Sequence, residues 1–426
     1  MIKDIFNYTK NLLNEVIFND VPFAIAAKQK LKKDTLTQDY KKLVSVLAGC
    51  ELRHHLVFSE VIKTKFNDLD NELYLYLLVA LTNNLFIKHF PYEEVIDFIY
   101  DLFLKANMGL SREELKEFFN SNLDTKELIP EKYHKESNDF LSLRFNTPNW
   151  LVKMWRKAYG NNLTFKILKA NTKAPKQTVR INTNLISKEE VLAKDTIYSE
   201  SFVDNVVLYH GNLPFNKQKY IEDFKVFPQK MGYKFIVDKI GIDPLQGVAI
   251  YQGMSSNFYL EVALRGMFSM PIDLILSTHQ DYYFVKNNIN NFKINNLKAY
   301  YSDYKSIITC VSKKVNSFFV LPKCSNFELL RSAPDYFLRF KPETLDSLIL
   351  EQYQTLVECS SFVEDNGQLI YIIPTLSTKE GHANIVRFLK ENKGFALEEE
   401  RQLFPFDPYD SSIYYAILRK VNIDND

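Results

Sequence analysis

The sequence predicts an α/β protein in three parts: an all-helical N-terminal domain, a small basic domain, and a C-terminal domain built on a largely parallel sheet. Three observations carry this. Apolar residues recur at three and four spacing as far as about Asn138, a basic stretch then runs without one carboxylate, and beyond Asn184 short apolar runs alternate with helical segments. At 426 residues the chain exceeds the usual single core, so several domains are expected.

The helical part shows its pattern in ELYLYLLVALTNNLFIKHF and PYEEVIDFIYDLFLKA, broken at Asn83-Asn84. Pro91 opens the second helix, ahead of Glu93 and Glu94. The polar EKYHKESND connects onward, giving boundaries of 1–138, 139–215 and 216–426. In the last part the runs GVAIY, PIDLILS, SFFVLP and QLIYII read as strands, with PETLDSLILEQYQTLVECSSFV and EGHANIVRFLKEN as covering helices. IYYAILRK is expected to close the sheet.

Composition excludes several classes. The four cysteines, Cys50, Cys310, Cys324 and Cys359, lie far apart with no CxxC pair, which argues against a disulfide framework and a zinc knuckle. Charges interrupt the N-terminal MIKDIFNYTKNLLNEV, and no run reaches the roughly 20 apolar residues of a membrane span, so a soluble cytoplasmic protein is expected. His279 and His382 have no Ser, Cys or Asp partner at a recognisable spacing, and no metal site is expected.

The net charge of +1 hides a strong asymmetry. Phe145 to Asn184 carries Lys153, Arg156, Lys157, Lys166, Lys169, Lys173, Lys176 and Arg180 with no Asp or Glu, together with both tryptophans, Trp150 and Trp155. Cations neutralise phosphates while rings and amides such as Asn182 contact bases, the mixture an RNA surface needs. A solvated helix face is the plainer reading of such a run. Glycine points the other way: the 12 present form no GxG, GG or GxxG, which removes the usual close cradle for a nucleotide or adenosyl group.

Several motifs nevertheless resemble one family. NTPNWLVKMWRKAYG is similar to an S-x-P-x-W-L-x-x-x-W entry, VRINT to an R-x-N motif, and FPQKMGYKFIVD to a Q-D-x-x-S segment. CSNFELLRSAPD matches C-S-x-T-G-x-x-x-R-x-P-D in length and ending, and GQLIYIIPTLSTKEG falls on G-x-L-V-Y-x-T-C-S-x-x-x-x-E-N. These are patterns of the Sun (Fmu) family of 16S ribosomal RNA cytosine-C5 methyltransferases. The resemblance spans nearly the whole chain and implies a NusB-like helical domain, a small RNA-binding domain and a Rossmann-like domain that uses S-adenosylmethionine.

Under this resemblance the chemical positions have changed. Pro374 stands where the nucleophilic cysteine belongs, and Leu321 where an aspartate steadies the base. Cytosine C5 becomes nucleophilic only after a thiolate adds at C6, which proline cannot supply. Cys324 keeps the companion cysteine position, either as a residual catalytic group or as a small buried residue after a strand. The glycine-rich cofactor loop falls on QGMSSNF, the acid for the ribose hydroxyls on Ser277, and Asp303 is the one candidate for the adenine edge.

Three readings follow. The first is a catalytically silent member that binds 16S-like ribosomal RNA through Lys153, Arg156, Lys157, Lys169, Lys173, Lys176, Arg180 and Asn182, without a cofactor, in small-subunit maturation or assembly. The second is an active S-adenosylmethionine-dependent enzyme with diverged motifs; the third is a protein-interaction scaffold that meets ribosome assembly factors.

Overall fold

The computed structural model describes residues 1–32, 36–66, 68–119, 126–194, 196–211, 217–243, 245–266, 270–311 and 313–421. The chain divides into two compact units. Met1–Lys173 with Leu329–Lys341 forms one, and Ala174–Glu328 with Pro342–Asp426 the other. The division falls at Lys173, within the segment expected to be a small basic domain.

The first unit is helical. Its opening helix, Ile2–Ile17, buries Ile5, Phe6, Thr9, Leu12, Leu13 and Val16, one stripe of a 3.6-residue repeat. Phe6 meets Phe90 and Phe98 edge-on at centroid separations of 5.7 and 5.5 Å. Helix Asn71–Thr82 is capped by Asp70, whose carboxylate accepts from Leu73 N–H at 2.7 Å. The break expected at Asn83-Asn84 is a π-turn, Asn83–Ile87, closed by Lys88 at φ 50°. Buried Asn83 holds it by donating to Phe90 O (3.0 Å) and accepting from Phe90 N–H (3.1 Å). Helix Tyr92–Lys105 follows Pro91 as the sequence predicts.

The basic helix, Asn149–Asn171, also belongs to this unit and bends at Gly160, where φ 72° and ψ 176° interrupt the helical path. A side chain there would be strained, so glycine is needed for the bend itself. Trp155 is fully buried, and Trp150 stacks on Phe340 at 6.0 Å. The tryptophans therefore serve packing.

The second unit holds two sheets. Strands β1 (Thr178–Ile181), β2 (Tyr198–Glu200), β3 (Val206–Tyr209) and β4 (Val226–Pro228) form an antiparallel sheet in the order β2-β3-β1-β4. The larger sheet comprises β5 (Val248–Gln252), β6 (Ile272–Leu276), β7 (Leu297–Tyr301), β8 (Val315–Leu321), β9 (Val363–Ile373), β10 (Phe395–Gln402) and β11 (Tyr414–Lys420). Its order is β10-β11-β9-β8-β5-β6-β7, with β7, β6, β5, β8 and β9 parallel and β11 antiparallel to both neighbours. Helices cover both faces. One core gathers Ile250, Phe258, Leu274 and Phe319, the other Ala249, Tyr251, Phe318 and Tyr371. Burial on both faces explains why the interior strands read as unbroken apolar runs.

The chain leaves β5 for β6 and β7 on one side, then returns to β8 and β9 on the other. This reversal opens a crevice at the carboxyl ends of β5 and β8, the place where open α/β sheets bind ligands. The fold class is the one the sequence predicts, and β5, β6, β8, β9 and β11 are the expected strands. Edge strands β7 and β10 escaped notice because LKAYY and FALEEERQ are partly exposed and polar, as edges that resist aggregation are. Among the described residues no helix is long and apolar enough to cross a membrane.

Candidate functional site

The crevice is framed by the turns after β8 and β9. Pro322, Lys323 and Cys324 follow β8, and Pro374 follows β9. Parallel pairing sets the two turns side by side: Cys324 Sγ lies 4.0 Å from Pro374 O and 3.8 Å from Met254 Sδ. Asn326 N–H donates to the same sulfur at 3.2 Å. Burial, then the carboxylates of Glu380 and Glu328, push the thiol well above its ordinary range. Cys324 is thus held as the neutral thiol, a weak nucleophile.

Beneath it is a hydrogen-bond set that sequence reasoning missed. Glu380, fully buried, accepts from Ser325 N–H (2.7 Å), Ser325 Oγ (2.6 Å), Thr375 Oγ1 (3.1 Å) and Gln352 Nε2 (3.0 Å). Tyr371 Oη donates to Glu380 O at 2.9 Å, and Gln352 Nε2 also reaches Lys323 O at 2.9 Å. A carboxylate accepting this many bonds needs no cation beside it. The set ties the β8 turn, the β9 turn and helix Thr344–Ser360 into one frame. The available signal was positional: Ser325 and Glu380 fall on the serine and glutamate of the two motif patterns.

The cofactor-loop region follows β5. Gly253 donates its N–H to Leu321 O at 2.7 Å, and a Cβ on it would stand 2.7 Å from Lys323 N. The one glycine kept in this loop therefore admits the close crossing of the β5 and β8 turns. A cavity of about 330 Å³ lies alongside, bordered by Tyr251, Ser277, Asp303, Lys305, Lys323 and Glu351. Asp303 is exposed and caps the short helix Tyr304–Thr309, its carboxylate accepting from Lys305 N–H at 2.9 Å. Tyr304 Oη donates to Gln354 at 2.8 Å, and Lys323 faces Glu351 at 3.9 Å. Cys310, the C-cap of the short helix Tyr304–Thr309, is buried ahead of β8.

The basic segment separates into two kinds of residue. Lys153, Lys157, Lys169, Lys173 and Lys176 are exposed, and their side chains form no ion pair among the described residues. Arg156 is partly buried and donates to Glu136 O (2.9 Å), Asn138 Oδ1 (2.6 Å) and Asn161 Oδ1 (2.7 Å). Arg180 and Asn182 correct the expectation of an RNA contact. Arg180 is 4% exposed, with Nε 3.2 and 3.0 Å from the carboxylate oxygens of Glu261. Asn182 is fully buried and donates to Phe224 O (3.1 Å) and Phe292 O (2.8 Å). Neither presents its side chain to solvent: Arg180 turns from β1 onto buried Glu261, and Asn182, just past β1, is held by two backbone carbonyls. Glu261, the lone acid of the apolar helix Phe258–Ala263, is the one sequence feature that hints at a buried charge, and it does not name the partner.

Fold and crevice together define a methyltransferase-fold protein. The crystal structure of PH0851 matches it with a TM-score of 0.72 over 97% of this chain and 99% of that one, at 16% identity. NSun6 from Pyrococcus horikoshii, solved with SFG, matches with a TM-score of 0.57, covering 68% of this chain and 100% of that one at 14% identity. A methyltransferase homologue from Pyrococcus horikoshii gives 0.56, covering 66% and 98% at 13% identity. Residues 147–194 match the ferredoxin-like domain of RsmF/B-like methyltransferases. The probable ribosomal RNA small subunit methyltransferase B of Bacillus subtilis (strain 168) is 24% identical over 270 residues, 60% of this chain and 58% of that protein. The chain thus spans less than two thirds of that relative's length. These matches, with the motifs quoted above, make the chain similar to the Sun (Fmu) family, and the solved structures show the fold.

Proposed function

We propose that this chain is a catalytically silent member of its family, a cytoplasmic protein that binds 16S-like ribosomal RNA in small-subunit maturation or assembly. One observation carries the reading. At the crevice, Pro374 stands at the nucleophile position of the family motif, and the adjacent thiol of half-buried Cys324 is pushed well above its ordinary range, first by desolvation and then by the carboxylates of Glu380 and Glu328. Methyl transfer to cytosine C5 has no thiolate to begin it.

The cofactor side supports the same reading. Ser277 offers a neutral hydroxyl in place of a ribose-binding acid, Gly253 is committed to a backbone crossing, and Asp303 already accepts a backbone N–H. These residues do not fit an adenosyl donor held in the family's manner, and no step is drawn through one. RNA binding rests on Lys153, Lys157, Lys169, Lys173 and Lys176, with Arg156 positioned by its own amide and carbonyl partners. The domain plan of 1–138 as a NusB-like domain, 139–215 as an RNA-binding domain and 216–426 as a methyltransferase-fold domain is part of this proposal.

The test pairs two measurements on the full chain. Calorimetry with S-adenosylmethionine is expected to show no binding up to millimolar concentration, and small-subunit RNA incubated with labelled donor is expected to gain no 5-methylcytosine. Transfer of the label to cytosine overturns the proposal.

A further inference from the structure

Strand alternation sends Tyr251 and Gln252, the last two residues of β5, to opposite faces of the large sheet. Tyr251 borders the Asp303 cavity already described. Gln252 borders a different cavity of about 380 Å³, between the β5 turn and helix His279–Asn288, whose wall also includes Ser255, Tyr259, Gln280, Asp281 and Phe284. This second cavity shares the turn after β5 with the cofactor-loop region, but none of the residues named at the Asp303 cavity or in the Glu380 set lines it.

Two atoms on its wall are unusual. Gln252 is 1% exposed and Tyr259 2% exposed. Gln252 Nε2 donates to Ser256 O at 2.9 Å, which leaves Oε1 as an acceptor with no partner among the described residues. Tyr259 Oη likewise has none. Buried polar atoms are nearly always paired, so two unpaired ones on a single cavity wall point to a partner that arrives from outside the chain.

The rest of the wall narrows the partner's chemistry. Asp281 accepts from Ser255 Oγ at 2.7 and 2.9 Å and from Thr278 Oγ1 at 2.6 Å, which fixes a carboxylate at the rim. No Lys or Arg lines the cavity among the described residues, so a phosphate would meet a negative charge with nothing to offset it. Burial and then Asp281 raise the Tyr259 hydroxyl, which therefore remains neutral and able both to donate and to accept. Phe284, 47% exposed at the mouth, offers a flat apolar face.

We propose that this cavity binds a nucleoside, an uncharged flat-ringed group whose N–H and O–H donors meet Gln252 Oε1, Tyr259 Oη and Asp281, with Phe284 against the base. The group comes either as a free nucleoside or as one unstacked residue of single-stranded RNA. The inference does not rest on the chain being catalytically silent.

Calorimetric titration of the full chain with adenosine, cytidine, guanosine and uridine, and separately with hexaribonucleotides, tests it. At least one nucleoside or hexamer is expected to bind with a Kd below about 1 mM. Tyr259→Phe and Gln252→Met are each expected to weaken that binding at least about tenfold, while the melting temperature of Tyr259→Phe stays the same or rises, since a buried unpaired hydroxyl is removed. Equal Kd values for a free nucleoside and the hexamer containing it identify the free ligand, whereas tighter hexamer binding that still depends on Tyr259 identifies RNA. Absence of binding by all nucleosides and hexamers up to about 10 mM, or binding unchanged in both variants, overturns the proposal.

Discussion

Arg180 and Glu261 form an ion pair inside the C-terminal unit, Nε to Oε2 at 3.0 Å, with 4% and 2% of the respective side chains exposed. Burial raises the Glu261 carboxyl while Arg180 pulls it down. Removing one partner strands the other charge, so Arg180→Met is expected to cost about 3–5 kcal/mol of stability. The double change Arg180→Met with Glu261→Leu is expected to recover most of that. Urea denaturation of the three proteins checks it.

RNA affinity is expected to depend instead on the exposed lysines. Replacing Lys153, Lys157, Lys169, Lys173 or Lys176 with glutamine should weaken binding across sequences and flatten the slope of log K against log salt by roughly one unit for each phosphate the variant no longer neutralises. Filter binding at several salt concentrations reads the slope. A set of variants with unchanged slope overturns the assignment of these lysines.

Cys324 is expected to alkylate more slowly at pH 8 than an unfolded cysteine, because burial and two carboxylates hold its proton. Glu380→Gln removes the second-ranked cause of that shift. The alkylation rate of Cys324 in this variant, followed by mass spectrometry of its peptide, should rise.

Gly253→Ala places a methyl group against the backbone at Lys323 and is expected to destabilise the chain by roughly 1–3 kcal/mol. Gly160→Ala should cost about 1 kcal/mol for a different reason, the positive φ at the bend. The two differ in readout: the first should perturb the β5 and β8 turns in hydrogen exchange, the second the basic helix alone.

Acid should loosen the helical unit through His54. Burial, helped by Arg53, lowers it to about 4, and its ring stacks on Phe86 at 4.1 Å. The unfolded chain takes up a proton near pH 6.5 while the folded one refuses it until near pH 4, so stability is lost as pH falls through that window. The loss is about 3 kcal/mol from this group. His54→Phe should show a shallower pH dependence of urea stability between those limits.

Much of the architecture was legible because long periodic segments and doubly buried strands leave strong patterns, as Ile2–Ile17 and the runs around Ile250 and Ile370 show. The site was legible in part. Pro374 and Cys324 could be placed by motif position, and the structure sets them together. Side-chain direction was not readable: the period of β1 cannot say that Arg180 points to Glu261, since any charged strand residue is by default expected in solvent. The Glu380 set was hidden for a related reason, since Ser325, Gln352, Thr375 and Glu380 come from three separate elements and meet only in the folded chain.

That set of bonds has an evolutionary consequence. Ser325, Thr375 and Glu380 hold the turns in place whether or not a thiol stands at residue 374, so loss of the reaction would leave folding intact. Under the proposed reading, residue 374 is free to vary without loosening the frame around the crevice.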